Sequence, residues 1–99
     1  MENQSEIFTD ELLDRALLFR TLGHPARIAI LEYILKSKGC VPNKLSESLD
    51  IPQPTVSQHL KALKSVGLIL RQLEGKEVSY RANHATCKNV KEYFNHLFS

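Results

Sequence analysis

Apolar residues recur with a helical period in five segments of the chain and with a strand period in one. The first segment, about residues 10–22, is rich in leucine and begins with acidic residues, which the helix dipole favours there. Gly23 and Pro25 then mark the end of one helix and the first turn of the next. The second helix, about residues 25–36, is apolar around most of its circumference, which predicts a central position in the core.

Residues 42–66 have the pattern of two short helices joined by a tight turn. In the first, about residues 42–49, Leu45 and Leu49 lie one turn apart, and the second covers about residues 54–66. The apolar stripe of this fourth helix consists of Val56, Leu60 and Leu63. Its opposite face consists of Ser57, Gln58, Lys61 and Ser65. This pattern predicts a helix-turn-helix.

Beyond Gly67 the period becomes that of a strand. The segments LILRQL and EVSYRA flank EGK, in which Gly75 can adopt the positive φ of a tight turn. In the second segment, side chains alternate between the two faces of the strand. One face has Val78, Tyr80 and Ala82, and the other has Glu77, Ser79 and Arg81. The predicted fold class is therefore mainly α with a small β-hairpin, a winged helix-turn-helix.

The last helix, about residues 86–98, has an apolar stripe at the end of a small chain, where it needs a covering surface. The stripe consists of Cys87, Val90, Phe94, Leu97 and Phe98. The first helix has a comparable excess of apolar residues. Both terminal helices are therefore predicted to pack against those of a second copy, which makes the protein a two-fold homodimer.

Length and composition indicate one globular domain covering residues 1–99. Hydrophobic residues make up 42% and charged residues 24%, which argues against disordered and fibrous classes. No apolar run reaches the roughly 18 residues of a membrane span, and Met1 to Glu6 are polar, so no signal peptide is predicted. We expect a cytoplasmic protein without a membrane partner.

Charge is distributed unevenly along the chain, although the net charge is only +2. Residues 51–82 contain five lysines and arginines against two glutamates, whereas residues 1–22 contain two arginines against five acids. A basic surface of this kind favours a polyanionic partner.

The outward residues of the fourth helix suit the major groove of double-stranded DNA. Gln pairs bidentately with adenine, Ser and Thr serve most bases, and lysine and arginine contact phosphates. The predicted contacts are Gln53, Thr55, Ser57 and Gln58 to bases, and Lys61, Lys64, Arg71, Lys76 and Arg81 to the backbone or minor groove. For each residue alone, an ordinary solvated surface is the competing interpretation. His59 lies at the edge of the apolar stripe and is predicted to pack or hydrogen-bond instead.

The motifs LGHPARIAIL and TVSQHLKALKSVGL, followed by a GK wing turn, resemble the ArsR/SmtB family of small dimeric bacterial winged-helix repressors. The resemblance covers about residues 17–83 and continues more loosely into the last helix. It implies five helices, a two-stranded wing and a dimer built from the first and last helices. It also implies that the protein represses a promoter until a ligand releases it. A two-fold dimer is expected to bind a pseudo-palindromic operator.

Family members often bind metals, and this chain departs from both known metal sites. One site uses two cysteines separated by one residue, but Cys40 is followed by Val41 and Pro42. The other uses an Asp and a His of the last helix with a later His and carboxylate of the partner. The matching positions are Asn83 and Ala85 or His84 and Thr86, followed by His96 or Leu97. Neither metal site, nor any other cofactor, is predicted.

Cys40 and Cys87 leave a thiol-based alternative, in which the repressor senses oxidants or reactive sulfur. Two cysteines are too few for a disulfide framework, and a redox pair requires Cα atoms within about 4.4–6.8 Å. Cys87 is predicted to pack at the dimer contact because it shares the apolar side of the last helix. Cys40 follows Gly39 in a predicted loop, which makes it the more reactive thiol of the two.

Two other classes compete with a DNA-binding regulator. An enzyme is disfavoured because the four histidines are scattered and the chain has no Gly-rich phosphate loop. A winged helix used only for protein contacts would carry aromatic or aliphatic anchors on the fourth helix. The residues there are Ser, Gln and Lys, which favour DNA.

Overall fold

The computed structural model describes residues 7–99, and its elements follow the predicted order. They are α1 (Asp10–Leu22), α2 (Pro25–Leu35), α3 (Pro42–Leu49), α4 (Gln53–Ser65), β1 (Ile69–Glu74), β2 (Glu77–Ala82) and α5 (His84–Leu97). The predicted bounds differ from these by at most two residues, and the winged helix-turn-helix fold is confirmed. The polar residues Met1 to Glu6, on which the absence of a signal peptide was predicted, lie outside the described residues.

Local hydrogen bonds explain where the helices begin. The Thr9 hydroxyl accepts from the Leu12 N–H at the start of α1, at 3.1 Å. The His24 Nδ1 accepts from the Ala26 N–H at 3.2 Å, and Pro25 occupies the first turn of α2. The Asn83 side chain accepts from the Thr86 N–H, so α5 begins at His84 and not at the predicted residue 86.

The core lies between α2, α3, α4 and the hairpin. Its largest fully buried side chains are Ile30, Ile34, Leu45, Val56, Leu60, Leu63, Leu68 and Ile69. The predicted apolar stripe of α4 is thus confirmed, and each of its side chains contributes about 1.5–3 kcal/mol by leaving water. The central position of α2 is confirmed for its inner face, although Ile28 and Leu35 remain 44% and 42% exposed. Within residues 7–99, none of the helices combines the length and apolarity needed to span a bilayer.

The wing is an antiparallel pair, β1 with β2, closed by a tight turn. Ile69 pairs with Ala82 at its base, and Glu74 pairs with Glu77 at its tip. Gly75 has a φ of 68°, the positive value that the turn requires. Cys40 extends the pairing through an isolated bridge, in which its N–H donates to the Tyr80 carbonyl at 2.9 Å and its carbonyl accepts at 2.8 Å.

Ser79 differs in burial from the other two residues on its side of β2. Strand alternation groups it with the exposed Glu77 and Arg81, but Ser79 is only 3% exposed. The segment that pairs with Tyr80 covers it, and Gly39 lies so close that an added Cβ would be 3.7 Å from the Ser79 hydroxyl. The hydroxyl donates to the Glu74 carboxylate at 3.1 Å, which satisfies the buried polar group.

The terminal helices α1 and α5 contact each other through aromatic rings. Phe19 stacks on Phe94 and Tyr93 at centroid distances of 4.9 and 5.9 Å, and the Arg15 guanidinium lies 4.1 Å above the Tyr93 ring. An open groove of about 1180 Å³ lies between the two helices and the carboxyl end of α4. Neither helix contains a buried residue. We call their exposed apolar residues the terminal-helix face: Leu13, Leu17, Phe94, Leu97 and Phe98.

Candidate nucleic-acid interface

The structure places the polar residues of α4 on a common exposed side. The buried stripe fixes the rotation of the helix against the core, so the opposite side must point outward. Five of the six predicted contacts on α4 are exposed: Gln53, Ser57, Gln58, Lys61 and Lys64. The sixth, Thr55, is half-buried, because its position along the helix brings it beside His59 at the edge of the core. No side-chain hydrogen bond caps the amino end of α4, where the positive end of its dipole lies.

The wing presents its cations on two faces. Arg71 lies opposite Tyr80, whereas Arg81 lies opposite Leu70, and this alternation directs the two arginines to opposite sides of the hairpin. Both are exposed, as is Lys76 in the turn. None of these three cations forms an ion pair within residues 7–99. Their charges are therefore not neutralised by a carboxylate of the described chain.

Arg81 is partly held by the wing itself. Its Nε donates to the Gln72 Oε1 at 3.0 Å, and the Gln72 Nε2 donates to the Glu74 carboxylate at 3.2 Å. Ser79 donates to the same carboxylate, so the chain of hydrogen bonds crosses both strands. One guanidinium donor of Arg81 is thus used within the protein, and its remaining N–H groups are the ones that can contact a ligand.

His59 is buried, as the sequence predicts, and it has a partner that the sequence does not reveal. It is 8% exposed, and its Nδ1 accepts from the Arg27 Nε at 3.1 Å. The pKa of His59 lies below its ordinary value, first because of burial and then because of the neighbouring His24 and Arg27. The pair is separated by 32 residues, and the only sequence signal is a histidine at the margin of an apolar stripe.

Both cysteines lie at least partly inside the protein. Cys40 is 4% exposed in its bridge with Tyr80, and burial raises its pKa. The prediction that it is the more reactive thiol because it lies in a loop is therefore not supported by its surroundings. Cys87 is half-buried against the core, and burial raises its pKa as well. Both are free thiols here.

In the part of the chain that the structure describes, no group of three or more His, Cys, Asp or Glu side chains is arranged to hold a metal ion. The absence of the two family metal sites remains a prediction.

The helix-turn-helix and its wing define a winged-helix protein, and comparison with known proteins identifies the family. Residues 22–74 match the family described as a helix-turn-helix domain. The chain is 47% identical over 76 residues to the HTH-type transcriptional repressor SmtB of Mycobacterium tuberculosis, a match that covers 75% of this chain and 56% of the relative. It is 31% identical over 84 residues to the transcriptional repressor PagR of Bacillus anthracis, which covers 85% and 84% of the two chains.

Solved structures agree with the sequence matches. The PagR crystal structure superposes with a TM-score of 0.72 at 30% identity, covering 85% of this chain and 95% of that one. An ArsR-like regulator from Rhodococcus sp. RHA1 superposes with a TM-score of 0.80 at 23% identity, covering 88% and 81%, and this match concerns the fold alone. The chain therefore belongs to the ArsR/SmtB family of winged-helix transcriptional regulators, which are not enzymes. It spans only about 56% of the length of the mycobacterial repressor.

Proposed function

We propose that the protein is a homodimeric repressor that binds double-stranded DNA through α4 and the wing. The observation that carries this proposal is the exposed polar side of α4, with Gln53, Ser57 and Gln58 near its amino end and an apolar stripe anchored in the core. The amino end of such a helix enters the major groove, and Gln, Ser and Thr hydrogen-bond to base edges there. The relatives named as repressors support the direction of regulation.

A dimer formed through the terminal-helix face would place two copies of α4 on one side of the DNA. Two-fold symmetry then requires a pseudo-palindromic operator, and reading successive major grooves on one side of the duplex requires half-sites about 34–36 Å apart, one helical turn. Lys61 and Lys64, further along α4, and Lys76 at the wing tip supply phosphate contacts, as do Arg71 and Arg81 on the strands. Phosphate contacts fix the position of the protein, whereas the residues at the amino end of α4 select the sequence.

The test is DNA binding by a Gln58→Ala variant at constant salt. Affinity is measured for the DNA upstream of the protein's own gene and for a set of single-base variants of that DNA. We expect a loss of about 1–3 kcal/mol, confined to one base position in each half-site, and a relaxed preference at that position. Asn95→Ala, an exposed amide on α5 far along the chain from α4, is the matched control and should bind as the wild type does. Equal weakening on every sequence would remove Gln58 from base recognition.

A further inference from the structure

A hydrogen-bonded bridge joins three helices at the buried edge of α4. Arg27, in the first turns of α2, donates from its Nε to the His59 Nδ1 on α4 at 3.1 Å. The same guanidinium donates from its second nitrogen to the Thr21 carbonyl, near the carboxyl end of α1, at 3.0 Å. One side chain therefore holds α1 and α4 to α2.

The bridge has a required protonation state. Because Nδ1 accepts the hydrogen bond from Arg27, the His59 imidazole must be neutral, with its proton on Nε2. Protonation of Nδ1 would remove the acceptor and place a second positive charge beside the guanidinium. The His59 side chain is 8% exposed, so water cannot readily replace the lost partner.

The charged and titratable groups that face His59 come from the amino end of α2. They are Arg27 and His24, whose ring centroid lies 4.6 Å from that of His59. Both are basic, and together with burial they favour the neutral imidazole. α1 contributes the Thr21 carbonyl through Arg27, and α1, α3 and β1 also pack against α4.

We propose that Arg27 and His59 are positioning residues for the DNA-binding helix, and that the bridge through neutral His59 holds α4 in the orientation that fits the major groove. This inference rests on the proposed use of α4 in DNA binding. Neither side chain belongs to the exposed side of α4, so neither is proposed to touch DNA. Their effect is on where Gln53, Ser57 and Gln58 are held.

The bridge makes a prediction about pH. Because the pKa of His59 is lowered in the folded protein, the unfolded chain takes up the proton first as the pH falls. The contribution of the bridge is thus complete above about pH 6.5, the ordinary value, and is lost as the pH falls toward and through the lowered pKa. The wild type contains three other histidines, so the comparison must isolate His59.

The experiment measures DNA affinity at constant salt from pH 7.5 down to the lowest pH at which the wild type stays folded, for the wild type, His59→Asn and His59→Leu. Asparagine can present its amide oxygen near the position of Nδ1 and does not titrate, whereas leucine offers no acceptor. We expect His59→Asn to bind like the wild type at pH 7.5 and to lose less affinity than the wild type as the pH falls through the lowered pKa of His59, with a difference of up to about tenfold, the size of one hydrogen bond to a charged group. His59→Leu should bind about tenfold more weakly than His59→Asn at every pH. His84→Asn, an exposed histidine of α5, is the control and should follow the wild type.

Three outcomes would overturn the proposal. In the first, His59→Asn follows the same pH profile as the wild type; in the second, His59→Leu binds at pH 7.5 as tightly as the wild type. In the third, nitrogen NMR of the wild type at pH 7.5 shows the proton of His59 on Nδ1. Failure of the wild type to bind duplex DNA at any pH would instead contradict the proposed function. If His59→Leu does not fold, His59→Asn and the NMR spectrum of the wild type still decide the question.

Discussion

Truncation of Leu97 to alanine tests the proposed dimer, because this side chain belongs to the terminal-helix face and is 52% exposed in the single chain. Full burial of a leucine side chain is worth about 1.5–3 kcal/mol, so covering the exposed half yields about 0.8–1.5 kcal/mol. A two-fold contact contains the residue twice, which brings the effect to about 1.5–3 kcal/mol per dimer. We therefore expect Leu97→Ala to raise the dimer dissociation constant by roughly ten- to a hundredfold.

The assay is sedimentation of fluorescently labelled protein over a dilution series that extends to nanomolar concentration. Leu73→Ala is the matched control, because Leu73 is an equally large side chain, 63% exposed, on the wing and away from the terminal helices. It should leave the dissociation constant unchanged. Urea unfolding at a fixed concentration of monomer separates weaker association from weaker folding.

The reasoning fails if the wild type is a monomer throughout the series, or if Leu97→Ala and Leu73→Ala dissociate alike. In the first case the terminal-helix face has another use. In the second case the contact lies elsewhere on the molecule, and the spacing of the two copies of α4 cannot be derived from α1 and α5.

Three further predictions concern the wing, the core and the thiols. Lys76→Ala should weaken binding to all DNA sequences alike and lower the dependence of affinity on salt by about one charge; an unchanged salt slope would remove the wing tip from the phosphate contacts. Leu63 has no exposed surface, so Leu63→Ala should lower the free energy of unfolding by about 2–5 kcal/mol in urea titrations. The control Leu73→Ala should lower it by less than about 1 kcal/mol. An equally small loss for Leu63→Ala would contradict close packing around the apolar stripe of α4. Because burial raises the pKa of both thiols, Cys40 and Cys87 should react with a thiol reagent at pH 7 more slowly in the native protein than after unfolding. A mild oxidant should leave DNA affinity unchanged. Rapid labelling of the native protein together with redox-sensitive DNA binding would support the thiol-sensing alternative.

The features that sequence predicts well here are those whose cause is local. Val56, Leu60 and Leu63 follow one another at intervals that a helix places on one side, so the buried stripe and its polar opposite side can be read directly. Pro25 and Gly75 mark a helix start and a hairpin turn through their own backbone preferences. These signals need no knowledge of which elements meet in space.

The features that sequence misses depend on contacts between distant segments. The sequence predicts a loop at Cys40. In the structure Cys40 pairs with Tyr80, and both the Cys40 thiol and Ser79 are buried. The bond from Arg27 to His59 requires that the start of α2 lie against the middle of α4. Neither contact produces a periodic pattern in the sequence, because each joins one residue to one other.

In the proposed dimer on DNA, the placement of α4 would depend on three variables with separate physical causes. The apolar stripe sets the rotation of the helix and the bridge from Arg27 to His59 attaches it to α1 and α2, whereas the terminal-helix face would set its distance from the second copy. Each cause has its own measurable dependence: base preference for Gln58, pH for His59 and protein concentration for Leu97. A signal that alters the bridge or the terminal helices would therefore weaken binding to all operators without changing the preferred base, because the side chains that read the sequence remain intact on the helix.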